Sequence, residues 1–202
     1  MTLLQSGISD EALSKSLVAA NRTVQLSAQI IGHSHFLKNS TTSYTWKLDS
    51  RTFGPNSSPD LNYTFPMNKS YDLNLVVISN ISLPESNLTK VGEKTFQITA
   101  KNEIKYMNVT GNTWLQDGAL LELRVNCSGG DGPFKYCYEF SQKKRENFTC
   151  DPKKLWRSEC YFPITRYFPK NGTYYINIAV FNDLNFKNKT ITVTVYDSKS
   201  FN

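Results

Sequence analysis

Twelve asparagines in this 202-residue chain stand in the triplet Asn-x-Ser/Thr: Asn21, Asn39, Asn56, Asn62, Asn68, Asn80, Asn87, Asn108, Asn126, Asn147, Asn171 and Asn188. The triplet is the acceptor for N-linked glycan transfer, a reaction of the endoplasmic reticulum. With Ser and Thr at roughly one residue in five, chance would turn only about four of the chain's asparagines into acceptors. The excess predicts a glycoprotein of the secretory pathway. The competing explanation is an Asn- and Thr-rich cytosolic protein. The cysteines favour the first. Cys127, Cys137, Cys150 and Cys160 are even in number, at spacings of ten, thirteen and ten. None forms Cys-x-x-Cys, and the two histidines, His33 and His35, lie in the other half of the chain, so a zinc site is poorly supported. Two disulfides in an oxidising compartment fit better.

Catalytic arrangements are thin. A nucleophile needs a positioned base, and His33 and His35 fall in a polar stretch that reads as an exposed loop. Glu122, Glu139, Glu146 and Glu159 fall in loops or at outward strand positions, a poor basis for a pair of catalytic carboxylates. Ser128-Gly-Gly-Asp-Gly lacks the Lys-Ser/Thr and the helix of a phosphate loop. Asp131, or Asp49 and Asp60, could touch calcium, but the dense ligand spacing of a calcium loop is missing. The expectation is no enzyme, no cofactor and no metal.

The formal net charge is +6. Lys and Arg are scattered except at Lys143-Lys144-Arg145 and at Lys153-Lys154 with Arg157, and the general scatter excludes a nucleic-acid binder. The cluster reads as a solvated loop face or as a contact for sulfated glycan, anionic lipid or an acidic partner. Trp114 and Trp156 sit in less regular segments and are candidate partner contacts if exposed.

Strands must position these groups. Tyr63-Thr-Phe65-Pro66-Met-Asn68-Lys-Ser-Tyr71 leads into Leu73, Leu75 and Val77. Tyr167-Phe168-Pro169-Lys-Asn171-Gly-Thr-Tyr174 leads into Ile176, Ile178 and Val180. A period of two marks a strand with one buried face. Two copies about a hundred residues apart, each with an acceptor asparagine in the same turn, predict two similar domains.

Around this repeat, 1–20 reads as a flexible or weakly helical lead-in. Strands are expected over 23–31, 43–48, 94–100, 105–110, 119–127, 134–140 and 190–196, with 49–60 a long turn and 79–92 a connection. In the 119–127 strand Leu121, Leu123 and Val125 face inward, while Glu122, Arg124 and Asn126 face outward. The expected boundaries are 21–103 for the first domain and 104–198 for the second. Short strands between turn residues, with almost no helix, indicate an all-β protein of two β-sandwiches. Met1 to Ala20 has no apolar leader and no run approaches a membrane span. Secretory chemistry without either predicts a piece of a longer ectodomain or an incomplete gene model.

Tyr44-Thr-Trp46, Tyr63-Thr-Phe65-Pro66 and Tyr71, and in the second half Tyr167-Phe168-Pro169, Gly172 and Tyr174, resemble the polycystic kidney disease (PKD) domain, an immunoglobulin-like sandwich. The Gly-Asp turn usual in that family is replaced by Lys47-Leu-Asp-Ser50, and Tyr136-Cys-Tyr-Glu-Phe140 stands where the Trp strand would be. Gly132-Pro-Phe-Lys-Tyr-Cys137 and Cys160-Tyr-Phe-Pro-Ile164 are similar to the PKD region of the membrane glycoproteins related to premelanosome protein, glycoprotein NMB and transmembrane protein 130. That resemblance implies type I membrane proteins, attached here through a segment outside this chain. The fibril role of premelanosome protein does not transfer, because its repeat and amyloid-forming regions are absent.

In such a sandwich the strands of Cys127 and Cys160 are antiparallel neighbours, and both cysteines share the inward parity of their strands. Cys137 lies between two inward tyrosines and points outward, toward the excursion that carries Cys150. The expected bonds are Cys127–Cys160 and Cys137–Cys150. Two functions remain open. One is a non-catalytic ectodomain module for adhesion, recognition or spacing, with a protein or glycan partner. The other is an accessory module of a secreted carbohydrate-active or proteolytic enzyme, where PKD-type domains also occur.

Overall fold

A computed structural model describes residues 1–31, 40–82, 85–144, 148 and 157–197. The chain divides into two compact units, Met1–Lys101 and Asn102–Asn202. Each is an all-β, immunoglobulin-like sandwich of two sheets.

The first unit contains β1 (Thr2–Leu4), the helix α1 (Asp10–Ser14), β2 (Leu17–Ala19), β3 (Thr23–Ser27), β4 (Ser40–Leu48), β5 (Arg51–Asn56), β6 (Asp60–Thr64), β7 (Ser70–Ser82) and β8 (Asn87–Lys101). One sheet has the order β1-β3-β6 and the other β2-β8-β7-β4-β5. Val24 and Leu26 on β3 and Trp46, Leu48, Tyr71 and Leu73 on β4 and β7 are buried, as strand alternation requires.

The second unit contains β9 (Ile104–Gly111), β10 (Trp114–Gln116), β11 (Leu120–Gly129), β12 (Lys135–Ser141), β13 (Tyr161–Tyr167), β14 (Gly172–Phe181) and β15 (Phe186–Tyr196). Its sheets run β13-β11-β9 and β10-β15-β14-β12. Leu121, Leu123, Val125, Phe162 and Ile164 from one sheet pack with Ile176, Ile178, Val180 and Val193 from the other.

The two topologies correspond element by element. β1, β3 and β6 match β9, β11 and β13. β2 pairs parallel with β8 as β10 does with β15. β5 and α1 are additions of the first unit.

Several expectations need correction. Residues 1–20 are no loose lead-in: α1 forms, but β1 pairs with β3 and β2 with β8. Leu3, Ile8, Leu13 and Val18 are buried. Gln5 fastens this segment, donating to the Ala19 carbonyl at 3.0 Å and accepting from the Ala19 amide at 2.7 Å. The first unit therefore starts at residue 1, and the division falls at 101/102, not 103/104. The expected turn at 49–60 contains β5, an edge strand on β4. Gly54 allows its irregular pairing: its φ is +107°, and a Cβ there would come within 2.5 Å of the Tyr44 carbonyl oxygen. The expected connection at 79–92 is mostly strand, because β7 and β8 pair from Ser70↔Thr99 to Ser82↔Asn87. The first strand is shorter than expected, ending at Ser27.

Candidate functional site

The repeated Phe-Pro-turn-Tyr stretch builds the same object twice. Phe65 and Tyr71 rings meet at 4.9 Å, and Phe168 and Tyr174 at 4.3 Å. The Tyr71 hydroxyl donates to the Met67 carbonyl at 3.1 Å, and the Tyr174 hydroxyl donates to the Lys170 carbonyl at 2.8 Å. Each tyrosine ring is buried and its hydroxyl closes the turn four residues upstream. Trp46 is likewise core, 1% exposed. These aromatics hold the scaffold, and the turns they close present Asn68 and Asn171 to solvent.

Acceptor asparagines and several of the other asparagines occupy different environments. Asn39 and Asn147 lie outside the described residues. The other ten acceptors are all exposed. Six of them, Asn62, Asn80, Asn87, Asn108, Asn126 and Asn188, sit inside strands together with their Ser or Thr, which is also exposed. Residues i and i+2 leave a strand on the same face, so a strand triplet marks the solvent face of its sheet. Asn126 and Asn108 are direct partners across β11 and β9. Three asparagines outside the triplet do structural work instead. Asn177 is 1% exposed. Asn182 donates to the Asn102 carbonyl at 3.0 Å and accepts from the Asn185 amide at 2.9 Å. Asn185 both donates to the Ile104 carbonyl and accepts from the Ile104 amide, each at 3.0 Å. Asp131 completes this clasp, its carboxylate accepting from the Asn102 amide at 2.6 Å.

Cys127 and Cys160 form a disulfide with Cα atoms 5.4 Å apart. Antiparallel pairing of β11 with β13, down to Asn126↔Tyr161, brings them together. Cys137 is also disulfide-bonded. It is the cross-strand partner of Ala179 on the outer side of its sheet, as its parity predicts, yet it is 4% exposed. Cys150 lies outside the described residues.

Of the basic cluster, Lys143 and Lys144 are exposed just after β12. Arg157 stacks its guanidinium over the Tyr136 ring at 5.6 Å. Arg145, Lys153, Lys154, Trp156 and both histidines lie outside the described residues. Trp114 is 59% exposed, on a strand that sequence reasoning missed. Among the described residues no three His, Cys, Asp or Glu side chains gather as a metal site, and no helix is long and apolar enough to cross a membrane.

Fold and surface together define an immunoglobulin-like, disulfide-bonded module. Within it a PKD domain is found at residues 12–91. Its start inside the expected lead-in agrees with the burial of that segment. A search of curated proteins found no match. Similar solved structures include the ICAM-5 D1–D4 ectodomain fragment, with TM-score 0.49, 8% identity and coverage of 90% of this chain and 50% of that one. The N-terminal eight Ig domains of Down Syndrome Cell Adhesion Molecule give TM-score 0.46, 13% identity and coverage of 90% and 23%. The FN1–FN3 domains of chicken CNTN1 give 0.41, 12%, 88% and 62%. This chain thus spans half or less of the first and second of these and under two thirds of the third.

Proposed function

We propose that this chain is a non-catalytic ectodomain region of a single-pass membrane glycoprotein, serving adhesion, recognition or spacing through a protein or glycan partner. The observation that carries the reading is the partition of asparagines. All ten described acceptors face solvent, whereas Asn177, Asn182 and Asn185, buried or clasped by hydrogen bonds, are not acceptors. Selection against glycan acceptors at structural positions and for them at exposed ones is expected of a chain that meets the glycan transferase. The Cys127–Cys160 bond supports the same oxidising compartment.

The second unit is read as a second PKD-type domain, because it repeats the strand order of the first and the tyrosine closure of its Phe-Pro turn. Its cysteine pattern supports kinship with the PKD region of the premelanosome protein, glycoprotein NMB and transmembrane protein 130 group. The test is the full-length transcript expressed in cells with an epitope placed in this region. Surface labelling of intact cells, with the protein partitioning into membranes, is the expected outcome. Soluble secretion of a product that carries a catalytic domain would replace this reading with that of an accessory enzyme module.

A further inference from the structure

The longest hairpin of the first unit, β7–β8, outruns the sheet that covers it. β7 has 13 residues and β8 has 15, whereas β3 and β6 have 5 each. Beyond the sandwich core its inner face forms the floor of a groove of about 810 Å³. Val77 and Ile81 from β7 and Leu88 and Phe96 from β8 line the floor, and Ile30 and Ile31 form a wall. Ile31 is 91% exposed, Ile30 41% and Leu88 40%. So much exposed aliphatic surface at one concavity is unusual for a surface otherwise rich in acceptor asparagines.

The charged side chains that face this groove have one sign. Lys90 and Lys94 share the inner parity of β8 and line it. Neither forms an ion pair among the described residues, and the Lys94 ammonium rests 5.4 Å from the Phe96 ring. Glu93 is the acidic residue of the lining, but its parity turns its carboxylate to the opposite face. There it accepts from Asn74 Nδ2 at 2.7 Å. Between the lysines stands Gly92, where an added Cβ would meet none of the described residues within 4 Å. Two ammonium groups on flexible stems therefore flank an open gap in an apolar trough.

We infer that this groove binds a single-chain anionic amphiphile, with the acyl chain along the aliphatic floor and the carboxylate or phosphate between Lys90 and Lys94. Its volume lies within the roughly 300–1,000 Å³ that accommodates one small ligand, and it has the apolar lining with few polar groups typical of such sites. A docked protein domain would need about 800 Å² of this surface, which suits a broad face better than a trough.

The test is calorimetric titration of the intact 202-residue chain with dodecanoate, dodecyl phosphate and the neutral dodecyl maltoside, each below its micellar concentration. Saturable binding of one molecule of either anionic probe is expected, at least tenfold tighter than the neutral one. Dodecanoate and dodecyl phosphate bound alike would indicate recognition of charge alone, and a preference between them would name the head group. Lys90→Ser with Lys94→Ser should cost tenfold or more toward the anions and little toward the maltoside. Gly92→Leu should fill the trough and abolish binding while the thermal midpoint stays near that of the wild type. Absence of saturable binding, equal affinity for the neutral probe, or binding indifferent to Gly92→Leu would each overturn the proposal.

Discussion

The hydroxyl of Tyr174 donates to the carbonyl of Lys170, four residues upstream, at 2.8 Å. Tyr71 does the same to Met67, and in addition accepts from the Met67 amide at 3.2 Å. Phenylalanine at either position keeps the ring packed and removes the closure. We expect Tyr174→Phe to cost about 1 kcal/mol, the net worth of one partly buried hydrogen bond, and Tyr71→Phe somewhat more. Denaturant unfolding of each variant measures this. No loss at either site would mean that the repeated turn is held by its Phe–Tyr ring contact alone.

Asparagine substitutions should fall into two classes. Asn182→Ala strips partners from the Asn102 carbonyl and from the Leu184 and Asn185 amides, and should cost about 2–3 kcal/mol. Asn188→Gln, on an exposed strand position, should stay within about 0.5 kcal/mol when the unglycosylated proteins are compared. Equal effects at the two sites would remove the distinction between structural and acceptor asparagines.

A non-reducing peptide map should recover Cys127 joined to Cys160, as the β11–β13 register requires. It should also recover Cys137 joined to Cys150. Replacing Cys127 and Cys160 by Ala should destabilise the folded protein by about 2–4 kcal/mol. A Cys127–Cys137 or Cys127–Cys150 peptide would contradict the strand parities on which the pairing rests.

If the basic run forms a polyanion contact, immobilised heparin should retain the chain at low salt and release it steeply as salt rises. Changing Lys143, Lys144, Arg145, Lys153 and Lys154 to Ser should abolish retention. A wild-type chain that passes through unretained at low salt shows a solvated loop face and no such contact.

The parts legible in the sequence are those where burial and strand period coincide. Leu121, Leu123 and Val125 alternate with Glu122, Arg124 and Asn126 over a strand packed along its length, so both faces of β11 could be read. From Val77 to its tip the inner face of the hairpin β7–β8 carries Ser79, Lys90 and Gly92, which break the apolar alternation, and it meets no covering strand among the described residues. Alternation of apolar residues reports burial, not pairing. The strands β1, β2 and β10 are three residues long, too few to show any period. β5 was hidden by Gly54-Pro55, which reads as a turn but lies on a sheet edge where ladder donors are dispensable. The acceptor triplets are legible in the sequence alone. Their uniform exposure emerged only with strand faces assigned, since a triplet says nothing of which side of a sheet it occupies.

Site-by-site glycan occupancy of the chain made in a secretory host tests the central claim most directly. Intact mass before and after endoglycosidase, with deamidation mapping of each released site, should show a heavily glycosylated chain. Asn68 and Asn171 should both be occupied in their equivalent turns. Asn126 should be the variable site, because early closure of the neighbouring Cys127–Cys160 bond restricts the transferase. A chain whose mass is unchanged by the endoglycosidase would contradict the compartment, and with it the reading of this protein as an ectodomain.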